Sequence, residues 1–99
     1  MDPYEVWRSA ILEPLVKAYR AAYARYDRLF RETNRKIGYL SKGKGFFHLT
    51  PKQRDLVDEY FEREDRALLD FYKAKEIYKK RRAELTISEY LARRSEVTT

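Results

Sequence analysis

The sequence predicts an all-α protein, a long antiparallel helical hairpin that is followed by a short C-terminal helix. Three observations predict this fold class. Apolar residues recur at helical spacing along two long segments, each segment begins with a capping residue and a proline, and all three glycines lie between them. Strand signals are absent, apart from a weak one over residues 46–49. We therefore expect a single helical domain over residues 1–99.

The first helix is predicted from Pro3 to about Lys36. Asp2 is a favourable N-cap residue, and a proline at the first helical position loses no helical hydrogen bond. Apolar side chains then follow the helical period at Tyr4, Trp7, Ile11, Leu15, Tyr19, Ala22, Tyr23, Tyr26, Leu29 and Phe30. Pro14 lies within this run and has no amide to bond to the preceding turn, so the helix is expected to be kinked or broken at Pro14.

Residues 37–50 contain all the glycines and are predicted to form the loop of the hairpin. The second helix begins after Thr50, which is followed by a proline, and Gln53 is placed to complete a capping box with Thr50. The apolar residues of this helix extend from Leu56 to Leu85. Two long helices joined by one loop predict an antiparallel pair.

A short third helix is predicted from Ile87 to about Arg94. Thr86 and Glu89 have the spacing of another capping box, which indicates where this helix begins. The tail, residues 95–99, is expected to fray because chain ends are ordered only where packing or hydrogen bonds hold them.

Charged residues divide between the two long helices. At about 100° per residue, five cations form one stripe on the first helix, opposite its tyrosines. This basic stripe consists of Lys17, Arg20, Arg28, Arg31 and Arg35. Acidic residues cluster on the outer side of the second helix, at Asp55, Asp58, Glu62, Asp65 and Glu76. The two outer faces of the hairpin are therefore expected to carry opposite charge.

The apolar arc of the second helix is wider than the roughly 100° that one neighbouring helix covers. Either the N-terminal segment, folded back at Pro14, or a second subunit must cover the remainder. We expect the second subunit, in a homodimer that packs as a four-helix, dimeric bundle. The residues assigned to self-association are Tyr60, Phe61, Leu68, Leu69, Phe71 and Tyr72.

No catalytic, metal-binding or cofactor-binding residue is predicted, and an enzyme is not expected. The segment from Gly38 to Gly45 matches a phosphate-binding loop at all but the last position, where Gly45 replaces the hydroxyl residue that binds magnesium. There is no cysteine and one histidine, so no metal-ligand cluster is evident. A weaker interpretation remains open, in which the backbone amides of this loop, with Lys42 and Lys44, contact a phosphate.

The rare residue types are typical of a hyperthermophile protein. The chain has no cysteine and one methionine, and Asn34 and Gln53 are its only side-chain amides, whereas 38% of its residues are charged. Residues that deamidate or oxidise on heating are depleted in such proteins, and charged residues are enriched. We therefore expect a thermostable, basic protein.

In length, composition and helix organisation, including the Asp2-Pro3 and Thr50-Pro51 helix starts, the chain resembles the small orphan proteins of filamentous viruses that infect hyperthermophilic acidophilic archaea. The resemblance implies a viral protein that acts in the host cytoplasm or in the virion. The N-terminus lacks the features of a standard signal peptide, and no apolar run is long enough to cross a bilayer. The resemblance assigns a role to no residue.

Two functions remain open. The first is a non-enzymatic, homo-oligomeric structural or protein-interaction module, whose partner is a second copy or another viral or host protein. The second is a non-specific duplex-DNA-binding protein. It would use the basic stripe, about 27 Å long at 1.5 Å per residue, together with the two loop lysines. The net charge of +6 is compatible with DNA but does not require it.

Overall fold

The computed structural model describes the backbone of residues 2–98 and the side chains of residues 2–95. The helices are α1 (Pro3–Leu40), α2 (Pro51–Glu84) and α3 (Ile87–Thr98), and a single 3-10 turn (Phe46–His48) lies in the loop. The long helices α1 and α2 pack side by side in a hairpin 70 Å long. No residue from 2 to 98 is in a strand. The predicted all-α hairpin with a short C-terminal helix is confirmed.

Local hydrogen bonds fix where each helix begins. The Asp2 carboxylate accepts from the Tyr4 amide at 2.9 Å. The Thr50 hydroxyl accepts from the Gln53 amide at 3.2 Å, while the Gln53 side chain accepts from the Thr50 amide at 2.9 Å, which completes the predicted capping box. These caps satisfy amides that have no partner in the first turn of a helix.

The capping box predicted for α3 is only half formed. The Thr86 hydroxyl accepts from the Glu89 amide at 3.1 Å, but the Glu89 carboxylate is bonded to Nε of Arg93 at 3.0 Å instead of returning to the cap. The helix begins at Ile87 as predicted. It continues to Thr98, so the segment predicted to fray over residues 95–99 is helical over 95–98, and Thr99 lies outside the described residues.

A kink or a break was expected at Pro14, and the chain stays helical through this residue, so the helix is not broken there. Leu12 is buried and Leu15 is half-buried, one on each side of the proline. Burial on both sides of the proline offsets the one backbone hydrogen bond that proline removes. The N-terminal segment therefore remains part of α1 and does not fold back over the hairpin.

The predicted loop is too long at its N-terminal end, because α1 continues to Leu40 and only residues 41–50 connect the two helices. The helix ends in a Schellman motif. The Gly43 amide donates to the Gly38 carbonyl at 2.8 Å, and the Lys42 amide donates to the Tyr39 carbonyl at 3.4 Å. Lys42 takes the left-handed position of this motif, with φ of 54°.

The helices meet along a seam whose residues alternate three and four positions apart, the spacing of a coiled coil. On α1 the seam consists of Arg8, Leu12, Leu15, Tyr19, Ala22, Tyr26, Leu29, Thr33, Lys36 and Leu40. On α2 and at its C-cap, Leu85, it consists of Gln53, Val57, Tyr60, Glu64, Ala67, Phe71, Ala74, Tyr78, Arg81 and Leu85. Every seam residue is buried or half-buried, which makes the seam the core of this protein.

Contacts across the hairpin fix how the two halves of the seam align. The Gln53 side chain donates to the Leu40 carbonyl at 3.4 Å, which places these residues level with each other. The Tyr19 ring contacts Phe71 and Tyr78, with centroids 6.4 and 5.2 Å apart, and is therefore level with Ala74. The same alignment places Tyr26 opposite Ala67 and Phe71 opposite Ala22, so that large rings alternate with small residues.

Candidate self-association surface

An exposed apolar surface runs along one side of the seam. On α1 it contains Tyr23 and Phe30, whose exposed fractions are 51% and 44%. On α2 it contains Phe61 and Tyr72, whose exposed fractions are 36% and 55%. These four residues form the aromatic flank. Tyr23, Phe30 and Phe61 occupy positions beside the seam, and Tyr72 lies one position farther out, all on the side that faces away from α3.

Ring contacts join the aromatic flank across the two helices. Tyr26 lies between Phe30 and Tyr23, with both centroid distances 6.2 Å. Tyr23 contacts Phe71 at 5.3 Å, and Phe71 contacts Tyr72 at 5.6 Å. A continuous row of rings therefore crosses from α1 to α2. These separations lie in the range at which aromatic pairs attract.

The loop extends the aromatic flank at one end of the hairpin. The Phe46 ring packs edge-on against Phe61 at 5.9 Å, and the Arg54 guanidinium lies over Phe46 at 5.4 Å. Phe47 contacts Phe46 at 5.8 Å but is itself 87% exposed. Phe46 is therefore packed against α2, whereas Phe47 is exposed to solvent.

The opposite flank has a different character. An ion pair joins Arg25 of α1 to Asp70 of α2 at 3.7 Å. Nearer the N-terminus, Tyr90 of α3 contacts Tyr4 and Trp7, with centroids 5.8 and 5.3 Å apart. The Tyr4 hydroxyl also donates to the Leu85 carbonyl at 2.8 Å, which ties α1 to the end of α2. The third helix therefore packs on one end of this flank, whereas Leu56 and Ile77, which lie farther along it, are exposed.

Only part of the predicted self-association set is accessible. Phe61, Leu69 and Tyr72 are exposed, and Leu68 is half-buried. Tyr60 and Phe71 belong to the seam and are half-buried, and Phe71 is in contact with both Tyr19 and Tyr23. Tyr60 and Phe71 therefore stabilise the hairpin itself, because each helix of a coiled coil covers the seam of the other.

Two residues of the aromatic flank were assigned to the buried face of α1. Tyr23 and Phe30 share the helical spacing of the core, yet about half of each side chain is exposed. Val16, Tyr23, Phe30 and Ile37 are seven residues apart, parallel to the seam. This second apolar row, beside the seam, indicates that α1 has more apolar surface than α2 alone can cover. It is the sequence signal from which the exposure of Tyr23 and Phe30 could have been predicted.

The chain matches none of the protein-family models, the curated proteins or the solved structures with which it was compared.

All five residues of the basic stripe are exposed on α1. Lys17 pairs with Glu13 at 3.2 Å, and Arg31 pairs with Asp27 at 3.1 Å. Within residues 2–95, no ion pair is found for the other three, which are Arg20, Arg28 and Arg35. The stripe is thus continuous in position, but its charge is partly neutralised by neighbouring carboxylates.

The loop does not offer its backbone amides to a phosphate. The Gly43 amide bonds to the Gly38 carbonyl, the Lys44 amide to the Ser41 carbonyl at 3.1 Å, and the Gly45 amide to the Ser41 hydroxyl at 2.9 Å. A phosphate cradle needs amides that point outward and lack partners. Lys42 and Lys44 are exposed, so only their side chains remain able to contact an anion.

Glu64 is a buried acid in the seam. Its side chain is 7% exposed, and its Oε2 has no hydrogen-bond partner within the described part of the chain. The seam alignment places it level with Leu29, an apolar neighbour. No group of three or more potential metal ligands occurs among the described residues, and none of the described helices could span a membrane.

Proposed function

We propose that this protein is a non-enzymatic, self-associating helical module that forms a homodimeric four-helix bundle through its aromatic flank. The observation that supports this proposal is the continuous row of rings from Phe30 to Tyr72, which lies along one flank and leaves Phe30, Tyr23 and Tyr72 exposed. Contiguous exposed apolar surface on a soluble protein marks interaction sites, whereas scattered apolar residues do not.

A second hairpin is the occupant that fits this surface best. The aromatic flank lies parallel to the seam along two adjacent helices, so a second pair of helices packs on it as in a four-helix bundle. Tyrosine and phenylalanine side chains bury large apolar areas with little loss of rotamer freedom, and tyrosine keeps its hydroxyl at the rim. The same chain supplies an identical flank, which satisfies the requirement of a twofold interface.

The test is the molecular mass over a wide concentration range, measured by sedimentation equilibrium or light scattering. The wild-type chain is expected to change from monomer to dimer as its concentration rises. The double variant Phe30→Glu with Phe61→Glu is expected to stay monomeric at all concentrations, because dimerisation would bury two carboxylates of each protomer without partners. Helix content from circular dichroism verifies that the variant is folded.

The matched control places the same charges on the opposite flank, in the double variant Leu56→Glu with Ile77→Glu. Leu56 and Ile77 are also exposed residues of α2, at 50% and 58%. This control is expected to dimerise like the wild type. A wild-type chain that remains a monomer at the highest concentration would remove the proposal, and equal weakening by both variants would exclude the aromatic flank as the interface.

The proposed setting is a virus of a hyperthermophilic archaeon, with the protein in the host cytoplasm or in the virion. The composition supports this proposal through its few thermolabile residues and many charged ones. A melting temperature above about 90 °C is expected for such a protein. Thermal unfolding followed by circular dichroism measures it, and a transition in the mesophilic range of about 45–65 °C would contradict the proposed setting.

Duplex DNA is the second candidate, and the observation that favours it is the exposure of Arg20, Arg28 and Arg35 without a described ion pair. Arginines free of carboxylate partners can neutralise phosphates and release counterions. The variant Arg28→Gln with Arg35→Gln is expected to lower the slope of log affinity against log salt by about two. The control Lys73→Gln with Lys80→Gln removes the same charge from α2 and leaves the slope unchanged. Failure of the wild type to bind DNA at low salt removes this candidate.

We also propose that α1 bends at Pro14 without losing its helical continuity. A proline inside a helix leaves the carbonyl four residues earlier without a partner and pushes it away, which in most cases bends the axis. Residual dipolar couplings of the two halves of α1 measure the bend. An angle above about 20° is expected, and collinear halves would contradict the proposal.

A further inference from the structure

Oppositely charged residues lie level with each other on the two outer sides of the hairpin. The seam alignment places Lys17 level with Glu76 and Arg31 level with Glu62. All four occupy the position of the heptad farthest from the seam and are exposed. Because the two helices separate them, Lys17 and Glu76 cannot pair within one chain, and neither can Arg31 and Glu62.

These outer positions lie about a quarter turn around each helix from the aromatic flank. When a second helix packs on that flank, they therefore line the rim of the new interface, as flanking charges line the seam of a coiled coil. Charges in such positions decide which helix faces which, and in which direction.

We infer that in the dimer α1 packs on α2 of the partner, antiparallel to it, and that both loops lie at the same end of the bundle. This inference rests on the proposed self-association. A twofold axis parallel to the helices gives this arrangement. Residues that are level with each other within one hairpin are then also level with each other between the two protomers. Lys17 then faces the partner's Glu76, and Arg31 faces the partner's Glu62.

The reverse arrangement, with a perpendicular twofold axis, packs α1 on α1 of the partner and places the loops at opposite ends. It brings Lys17, Arg20 and Arg31 toward the same cations of the partner, because all three lie near that rim. Like charges across an interface weaken the wrong pairing. The ion pairs of Lys17 with Glu13 and of Arg31 with Asp27 remain possible in the same-end arrangement, where each cation lies between two carboxylates.

Distances between labels test the arrangement directly. The chain has no cysteine, so Lys44→Cys accepts a single spin label in the exposed loop of each protomer. In the same-end arrangement, pulsed electron paramagnetic resonance is expected to give a distance of roughly 20–30 Å between the two spin labels, since adjacent helices are about 10 Å apart. The opposite-end arrangement gives about 50 Å, the length of the long helices.

The outcomes separate the two proposals. A short distance in a dimer supports the same-end arrangement. A long distance in a chain of dimer mass overturns the arrangement and leaves self-association intact. A chain of monomer mass without dipolar coupling overturns both. Labelling at Arg93→Cys on α3, near the other end of the hairpin, is expected to give roughly 30–40 Å in the same-end arrangement, because the two copies of α3 lie on the outer flanks about three interhelical spacings apart, and a longer distance in the opposite-end arrangement.

Charge reversal provides an independent test. Arg31→Glu and Glu62→Arg are each expected to weaken the homodimer about tenfold, through like charges at the rim. An equimolar mixture of the two variants is expected to form a heterodimer within about threefold of the wild-type affinity. One of its two rim sites contains the wild-type Arg31 and Glu62, and the other contains the two substituted residues, whose charges are reversed but still opposite. The control Arg25→Glu reverses a charge on the opposite flank, where Arg25 pairs with Asp70, and leaves dimer affinity unchanged. A mixture no tighter than the single variants would overturn the inference.

Discussion

The seam and the aromatic flank are both rich in apolar residues, but they differ in what covers them. Seam residues such as Val57, Ala67 and Leu85 are buried by the opposite helix of the same chain. In the aromatic flank, Tyr23 and Tyr72 both contact the seam residue Phe71 and leave about half of the side chain exposed. One chain is sufficient to bury the first set and insufficient to bury the second.

This difference separates the stability of one chain from its association. Loss of a seam residue is expected to lower the free energy of unfolding at every protein concentration. Loss of a flank residue is expected to lower the apparent stability only where dimers form, since a partner that binds the folded state stabilises it by mass action. Four single substitutions test this distinction, and they are given from the largest expected effect to the smallest.

Leu85→Ala is expected to lower the free energy of unfolding by about 3 kcal/mol, through lost burial and the cavity that remains. Leu85 is among the largest fully buried side chains, and its carbonyl accepts the hydrogen bond from Tyr4. Urea unfolding measures the effect, which should be the same at low and high protein concentration. A loss below about 1 kcal/mol would show that the end of the seam contributes little to the fold.

Glu64→Leu is expected to raise the free energy of unfolding by about 2 kcal/mol, because it removes a buried carboxylate oxygen that lacks a hydrogen bond. Leucine also suits a seam position of a coiled coil. Urea unfolding of the monomeric Phe30→Glu, Phe61→Glu background isolates the effect of the seam. Destabilisation there would mean that Glu64 has a partner in solution, and Glu64→Gln distinguishes loss of charge from loss of shape.

Tyr72→Ser is expected to weaken dimerisation about tenfold, or roughly 1.4 kcal/mol, by removing one ring of each protomer from the interface. Tyr72 is 55% exposed in the monomer, so the unfolding of dilute protein should change little. Sedimentation gives the dimer affinity, and thermal unfolding at low concentration gives the monomer stability. A large loss of stability in dilute protein would assign Tyr72 to the fold and remove the distinction between seam and flank at this position.

Lys42→Gly is expected to raise the free energy of unfolding by about 1 kcal/mol, because Lys42 has φ of 54° and glycine adopts this conformation without steric strain. The residue belongs to neither the seam nor the aromatic flank, so dimer affinity should stay constant. The variant therefore provides a reference for a pure change in monomer stability. Unchanged urea unfolding would mean that the Schellman motif at Lys42 is not strained.

The sequence predicted the helix starts most accurately. The caps at Asp2 and Thr50 depend on hydrogen bonds to residues two or three positions away, so short-range chemistry is sufficient to locate them. The end of α1 was predicted four residues early, because Gly38 resembles a helix stop in isolation. In the structure the Gly38 carbonyl instead accepts the hydrogen bond that closes the Schellman motif.

The candidate surface was predicted only on α2. Phe61 and Tyr72 were identified from the width of an apolar arc, whereas Tyr23 and Phe30 share the helical spacing of the core on α1. The alignment of the two helices decides which side chains each helix covers. This alignment is set by contacts between residues that are distant in the sequence. A helical period alone does not distinguish a seam residue from its neighbour on the flank.

By itself the sequence determined the helical class and the helix starts, because these follow from local hydrogen bonding and from the helical period. The tertiary structure decided that α1 passes through Pro14 unbroken, that α3 packs on one end of one flank and that the rings of the other flank remain exposed. These outcomes depend on which distant side chains share the seam. Burial is a property of two helices in contact, and neither helix determines it alone.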